Sequence, residues 1–230
     1  FAAGRLRLWA PTQAPDDAIA AAARASGLMA ASIELTVPPL GGAFGRRLDN
    51  DAVFQIAGIA AQMPGVPVQM MWTREQELRH DFYRPAASAK LDAMLDAGGN
   101  VTVLTMKVAS QSIGNARLGR MRPGQTEPPE TAGTGGFAYS IARQGYYWIE
   151  SPLGLPIGSW RSVGSSFDAF FIESFIDELA AKLGRDPLAY RQLLLAAKPR
   201  HLRVLALAAE KAGYSVARQA ELKKSGRAMG

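Results

Sequence analysis

Ile33-Glu34-Leu35-Thr36-Val37-Pro38-Pro39-Leu40-Gly41-Gly42-Ala43-Phe44-Gly45-Arg46-Arg47 runs from an alternating segment into a glycine loop. Apolar side chains at every second position (Ile33, Leu35, Val37) read as a strand over Ala31 to Val37. Three glycines in five positions let the backbone take φ > 0 and come close to a ligand. Asp51 to Gln62 follows, with Val53, Ile56, Ala57 and Ala60 at helical spacing and Pro64-Gly65 as a stop. A strand that delivers a glycine loop to a helix points to an α/β chain. Arg46 and Arg47 add permanently charged, forked donors suited to phosphate, carboxylate or oxo groups. The loop is expected to hold an anionic group against main-chain N–H donors, although glycine-rich turns and paired solvated arginines also occur with no ligand.

The flanks fit the same class. Arg5 to Ala10 alternates with Leu6 and Leu8 on one face, and Pro15-Asp16-Asp17 opens an alanine-rich helix to Ala25, with Gly27 as its stop. Val66 to Trp72 reads as a strand of mixed polarity. Ala87 to Leu95 and Val101 to Val108 flank Asp96-Ala97-Gly98-Gly99-Asn100 as a hairpin. Gly114 to Ala138 reads as an irregular surface excursion, and Gly145 to Glu150 as another strand. Ser165-Ser166 is expected to cap an amphipathic helix with Phe167, Phe170, Phe171, Phe175, Ile176 and Leu179 at helical spacing, its phenylalanine stripe forming core. Asp186-Pro187 caps the next helix, and a final one spans His201 to Ala212. Residues 1–213 are expected to form one domain of mixed α/β (α+β) class, and 214–230 a linker.

Composition narrows the chemistry. The 230 residues include no cysteine, which excludes disulfides, thiolate catalysis, zinc fingers and any iron–sulfur cluster ligated by these residues. The two histidines, His80 and His201, are far apart, which argues against a histidine metal site. Twenty-six basic and 20 acidic residues leave a net charge of +6, but the signs are interspersed and much of the excess lies near the C-terminus. That pattern fits a solvated helix face better than a nucleic-acid footprint. No apolar run approaches the roughly 18 residues that a membrane helix needs. The chain opens on Phe1 and no signal peptide is evident, so no compartment is read from it.

Trp9-Ala10-Pro11-Thr12-Gln13-Ala14-Pro15, Trp72-Thr73-Arg74-Glu75, His80-Asp81-Phe82-Tyr83-Arg84-Pro85-Ala86 and Gly158-Ser159-Trp160-Arg161-Ser162-Val163-Gly164 surround the glycine loop in sequence. In order and spacing the set resembles the molybdenum-binding large subunit of the xanthine dehydrogenase/aldehyde oxidase family, in the form of the isoquinoline 1-oxidoreductase beta-subunit type. The likeness runs from Arg5 to Tyr214. It implies a molybdopterin-binding domain, the first of two and here incomplete. It also implies hydroxylation of an aldehyde or azaarene with water as the oxygen source. Molybdopterin with molybdenum is the implied cofactor, in its cytosine dinucleotide form. The implied partners are a small subunit carrying iron–sulfur clusters and a missing C-terminal molybdopterin-binding domain.

The resemblance also assigns residues. Gln13 reads by itself as a helix-capping or surface glutamine; the resemblance implies contact with an axial ligand of molybdenum. Gly42, Phe44 and Gly45 match main chain lying against the cofactor, with a glycine where a β-carbon would meet the ligand. Arg161 is either a structural loop arginine or, by resemblance, a substrate contact beside a helix start. The family's base is a glutamate in a glycine-flanked motif near the large subunit's C-terminus, and no such motif occurs here, so no catalytic residue is assigned to this chain. Many family members carry lysine-glutamate where this chain has Arg47-Leu48, which implies a more apolar substrate pocket. The chain is therefore expected to be inactive by itself. Two readings of other classes stay open: a non-catalytic assembly remnant of the family, and a basic nucleotide-binding domain.

Overall fold

The structure, a computed structural model, describes residues 1–118 and 138–228, apart from the side chains of 116–118. The described residues fall into two compact units. The first comprises Phe1–Ala86, 111–118 and Pro152–Val163. In it β1 (Leu6–Trp9) and β2 (Ile33–Thr36) pair in parallel, Leu6 opposite Ile33, and α1 (Pro15–Ser26) connects them. Asp16 and Asp17 sit in the first turn of α1, and Gly27 closes it at φ 73°, the left-handed cap that favours glycine. The glycine loop leads through a short 3₁₀ turn (Arg46–Leu48) into α2 (Asp51–Gln62). Leu6, Leu8, Ile33, Ala18, Ala22, Val53 and Ala57 share one core, in which small alanine side chains allow α1 and α2 to pack closely.

The second unit comprises Ala87–Ser110, 138–151 and 164–228. β3 (Ala87–Leu95) and β4 (Val101–Ser110) form the expected antiparallel hairpin, and β5 (Arg143–Glu150) pairs with β4 in parallel. Three helices belong with this mixed sheet. In chain order, after α3 (Arg74–His80) and α4 (Ile113–Leu118) of the first unit, they are α5 (Ser165–Lys182), α6 (Pro187–Leu194) and α7 (Pro199–Ala212). Val101, Leu104, Ile176, Leu179, Tyr190 and Leu194 form the core. Within the expected 214–230 linker, Val216–Lys224 is helical (α8), with the Ser215 hydroxyl accepting from Arg218 N–H at its start. Mixed helix and sheet is thus the fold class.

Four expectations change. Val66 to Trp72 forms no strand: Pro67 has no N–H to give a ladder, and the segment is held instead to α2 by Trp72 Nε1–H donating to Gln55 Oε1 at 3.1 Å. Ser165-Ser166 lie inside α5, whose N-cap is Gly164 without a side-chain cap bond. The phenylalanine stripe is core only in part: Phe175 packs against the core, Phe167 and Phe171 are half-buried, and Phe170 is 68% exposed. The fully buried residues of α5 are Ile176 and Leu179 of the expected stripe together with Asp168 and Ala180. There Asp168 accepts from the Tyr146 hydroxyl at 3.2 Å, and burial pushes its carboxyl up to about 7. Finally, the Gly114–Ala138 excursion begins inside α4, with Ile113 and Gly114 buried; residues 119–137 of it lie outside the described residues.

Candidate functional site

Gln13, Gly42, Phe44, Gly45 and Arg161 all lie in the first unit, and the glycine loop organises them. Arg46 N–H donates to Ala43 O at 2.9 Å and Leu48 N–H to Gly45 O at 3.0 Å, which winds the loop into its 3₁₀ turn. Gly41 (φ 63°), Phe44 (φ 52°) and Gly45 (φ 96°) are left-handed. For phenylalanine that conformation carries strain of order 1–3 kcal/mol, so the surroundings must impose it. The N–H groups of Gly41, Gly42, Ala43 and Phe44 have no partner among the described residues.

Thr12-Gln13, between β1 and α1, is tied to this loop. Thr12, 3% exposed, places its hydroxyl 3.1 Å from Arg47 O and 3.0 Å from Asn50 Oδ1 and accepts from Ala14 N–H. Gln13 N–H donates to Arg47 O at 2.9 Å. Gln13 does not cap α1, whose N-cap is Ala14. Its side-chain oxygen accepts from Gly45 N–H at 3.1 Å. Because only the oxygen of an amide can accept, that bond fixes the side chain's orientation and leaves Nε2, a two-proton donor, at the other end.

The third part of the site is the Trp160–Val163 turn. Tyr83 N–H donates to Pro156 O and Gly158 N–H to Tyr83 O, so the 82–84 and 156–158 segments run side by side. Arg161 N–H then donates to Phe44 O at 2.8 Å, and the Arg161 guanidinium stands 5.2 Å from the Phe44 ring centroid. A β-carbon on Gly45 would fall 2.4 Å from Ser159 O, and one on Gly42 would fall 2.8 Å from the Phe44 ring. Gly45 is thus required by the chain's own backbone before any ligand arrives, a different cause from the collision that the resemblance implied. Gln13, Gly42, Phe44, Gly45 and Arg161 therefore adjoin one another. The site is open: Phe44 is 58% and Trp160 57% exposed, and Gln13 and Arg161 are exposed as well.

Two further residues set this geometry through contacts that differ from anything expected of them. Arg46, which reads in sequence as a solvated or anion-binding arginine, pairs with Asp51 through both guanidinium nitrogens at 3.1 and 3.0 Å and with Asp81. Its plane lies near the Trp72 and Phe82 rings, 5.7 and 5.2 Å from their centroids. It is committed to fastening α2, α3 and the loop together. Arg84 donates to Val163 O at 3.0 Å and to Arg161 O at 3.1 Å. Both partners are main-chain oxygens some 80 positions away, which no local pattern announces. Arg46 and Arg47 both line an open cleft of about 350 Å³ with Trp9, Met70 and Trp72. Gln13, Phe44, Gly45 and Arg161 do not line that cleft.

Among the described residues, no set of three His, Cys, Asp or Glu side chains could hold a metal ion, and no helix is long and apolar enough to cross a membrane. What the site offers is unpaired N–H donors and an amide donor, arranged for an acceptor-rich or anionic group.

The family model for the molybdopterin cofactor-binding domain matches residues 1–195. The beta subunit of isoquinoline 1-oxidoreductase from Brevundimonas diminuta is 28% identical over 214 residues, 90% of this chain and 27% of that protein. A nicotinate dehydrogenase subunit of Pseudomonas putida is 31% identical over 222 residues, 93% of this chain and 18% of that protein. Quinoline 2-oxidoreductase from Pseudomonas putida 86 shares the fold with a TM-score of 0.73 at 20% identity, over 96% of this chain and 30% of that one. The chain thus spans between about a fifth and a third of the proteins it matches.

Proposed function

We infer, since the chain belongs to the molybdopterin cofactor-binding domain family, that it is part of a molybdenum hydroxylase acting on an N-heteroaromatic or aldehyde substrate. The observation that carries this reading is the Gln13 side chain, turned by Gly45 N–H so that its amide donor end is left for an acceptor beside Phe44. The residues fit the group. Molybdopterin with its molybdenum presents oxo, sulfido and phosphate acceptors, and the Gly41–Phe44 N–H groups together with Gln13 Nε2 are donors without protein acceptors among the described residues. Gln13, Gly42, Phe44 and Gly45 would hold it. The chemistry that it supplies when bound is two-electron oxidation of a carbon that gains an oxygen from water.

This chain's own part is positioning. Gln13 and the loop orient the cofactor. Arg161 over the Phe44 ring, next in the chain to the exposed Trp160, forms a cationic and apolar wall, suited to an electron-poor ring. Leu48, standing where many members of the family have glutamate, fits a more apolar pocket that favours the azaarene over polar substrates. Residues 1–213 are the first cofactor domain and 214–230 lead out of it. The base, the cytosine dinucleotide contacts and the iron–sulfur clusters belong to other parts of the enzyme, the last of these to a small partner.

Gln13→Ala in the complete large chain, expressed with its partner in a molybdenum-replete host, tests the reading. Loss of a donor to a charged or strongly polar acceptor, about 1.5–3 kcal/mol, predicts roughly a 10- to 100-fold fall in cofactor retention or turnover with little change in melting temperature. Full molybdenum content and unchanged turnover in the variant would sink the assignment. The isolated 230-residue chain should carry no stoichiometric molybdenum.

A further inference from the structure

We propose that Arg84 is the positioning residue of this site, holding the Trp160–Val163 turn in the shape that lets Arg161 fasten Phe44. The inference rests on the reading just given of Phe44, Gly45 and Arg161 as the site. Ser162 (φ 73°) and Val163 (φ 42°) are two successive left-handed residues. A β-branched side chain in that region is a true outlier, and neither residue would adopt it unaided. The turn's own bond is a single one, Val163 N–H donating to Trp160 O at 2.8 Å.

Arg84 supplies what the turn lacks. Its guanidinium donates from one terminal nitrogen to Val163 O (3.0 Å) and from the other to Arg161 O (3.1 Å), and it lies 5.1 Å from the Trp160 ring centroid. A rigid planar fork thus binds the carbonyls at both ends of the left-handed pair while its face meets the residue before them. An ammonium on a flexible stem cannot reproduce two fixed donors and a stacking face. The route to the site is short: Arg161, whose oxygen Arg84 holds, gives its N–H to Phe44 O, and Phe44 is itself left-handed. The strain of the Phe44–Gly45 corner is therefore maintained from Arg84, itself anchored between Tyr83, which pairs with Pro156 and Gly158, and the buried Pro85.

The test uses the 230-residue chain with Arg84→Lys and Arg84→Ala. Amide exchange at Arg161 and tryptic cleavage of Arg161–Ser162, both followed by mass spectrometry, read the turn directly and need no cofactor. We expect both rates to rise at least tenfold in the alanine variant and nearly as much in the lysine variant, while exchange in β1 and β2 stays as in the parent. Wild-type protection in Arg84→Lys would overturn the fork argument, because charge alone would then suffice. Unchanged protection of Arg161 in Arg84→Ala would overturn the whole proposal. Should the alanine variant unfold globally, the lysine variant decides. Failure of the molybdopterin reading would appear in the Gln13 variants of the complete large chain and leave these rates unmoved, so the two ideas fail separately.

Discussion

Two glycine-rich loops in this chain look alike in sequence and are built on opposite principles. The hairpin turn Asp96–Asn100 closes on itself. Asp96 Oδ1 accepts from Gly98 N–H and Asn100 N–H at 2.9 Å each, and Asp96 Oδ2 accepts from the Asn100 amide at 3.0 Å. The Gly41–Arg47 loop closes on residues far away: Gln13 takes the Gly45 N–H, Arg161 takes the Phe44 oxygen, and Ser159 leaves room at position 45 for a hydrogen only. Arginine contacts carbonyl oxygens in both regions, Arg185 at Gly98 and Arg84 at the turn beside Phe44. The difference lies in the N–H groups, consumed locally in one loop and left without described partners over Gly41–Phe44 in the other. A glycine loop becomes a site when distant residues hold its shape and its donors stay unspent.

The largest break in that comparison should come from Gly45→Ala. Position 45 combines φ 96° with a main-chain oxygen 2.4 Å from the new carbon, and main chain cannot step aside as a side-chain tip can. We expect a cost of roughly 3–5 kcal/mol in urea or thermal unfolding of the first unit. Gly99→Ala has φ 74° but meets only the ends of Leu183 and Arg185, and Gly41→Ala has φ 63° with nothing within 4 Å. Both should cost about 1–2 kcal/mol, the ordinary penalty of a left-handed alanine. If Gly45→Ala falls among these, the Ser159 contact is not what shapes the loop.

What could be read from sequence follows the same division. α1, α2 and the β3–β4 hairpin were legible because their signals are local: acidic residues at a helix start, Gly27 as its stop, alternation on both sides of Asp96–Asn100. The buried face of α5 was not. Spacings of three and four residues join Phe167, Phe170, Phe171, Phe175, Ile176 and Leu179 into one stripe, but of these the fold fully buries only Ile176 and Leu179, with Asp168 and Ala180 beside them. Aromatic size extends the expected stripe to Phe170, which the fold leaves exposed, whereas it buries Asp168, one of whose oxygens accepts from a tyrosine of β5. Val66 to Trp72 had strand composition but no strand to meet. At the site, Gln13 by itself reads as a capping or surface glutamine; only the family resemblance pointed to contact. Arg84 left no trace beyond its place in the His80–Ala86 segment, because its acceptors are backbone oxygens.

A smaller effect separates the loops' anchors. Thr12→Val keeps the shape of a 3% exposed side chain but removes the acceptor of Ala14 N–H and the donor to Arg47 O or Asn50 Oδ1. Leaving buried partners unpaired should cost about 1–2 kcal/mol by chemical denaturation. Thr102→Val removes a solvent-exposed bond from the hairpin, to Met94 O, and should stay within about 0.5 kcal/mol. Equal costs would mean that the remote anchor contributes no more than a surface bond.

The smallest effect is a titration. Hydrogen bonds from the Asn100 side chain and main chain, with that from Gly98 N–H, hold the Asp96 carboxyl below its ordinary value of 3.8. A carboxylate whose pKa is lower in the folded state adds stability above the unfolded value and loses it as pH falls through the folded one. The hairpin turn should therefore loosen only below about pH 3.8, and the amide shifts of Gly98 and Asn100 should move together with one midpoint there. Asp96→Asn should abolish that step. Gly45 N–H donates to a neutral amide, which does not titrate, so its shift should lack any comparable step. A shared midpoint for Gly45 and Gly98, or a Gly98 midpoint above 3.8, would show that the two loops are not held in the different ways described.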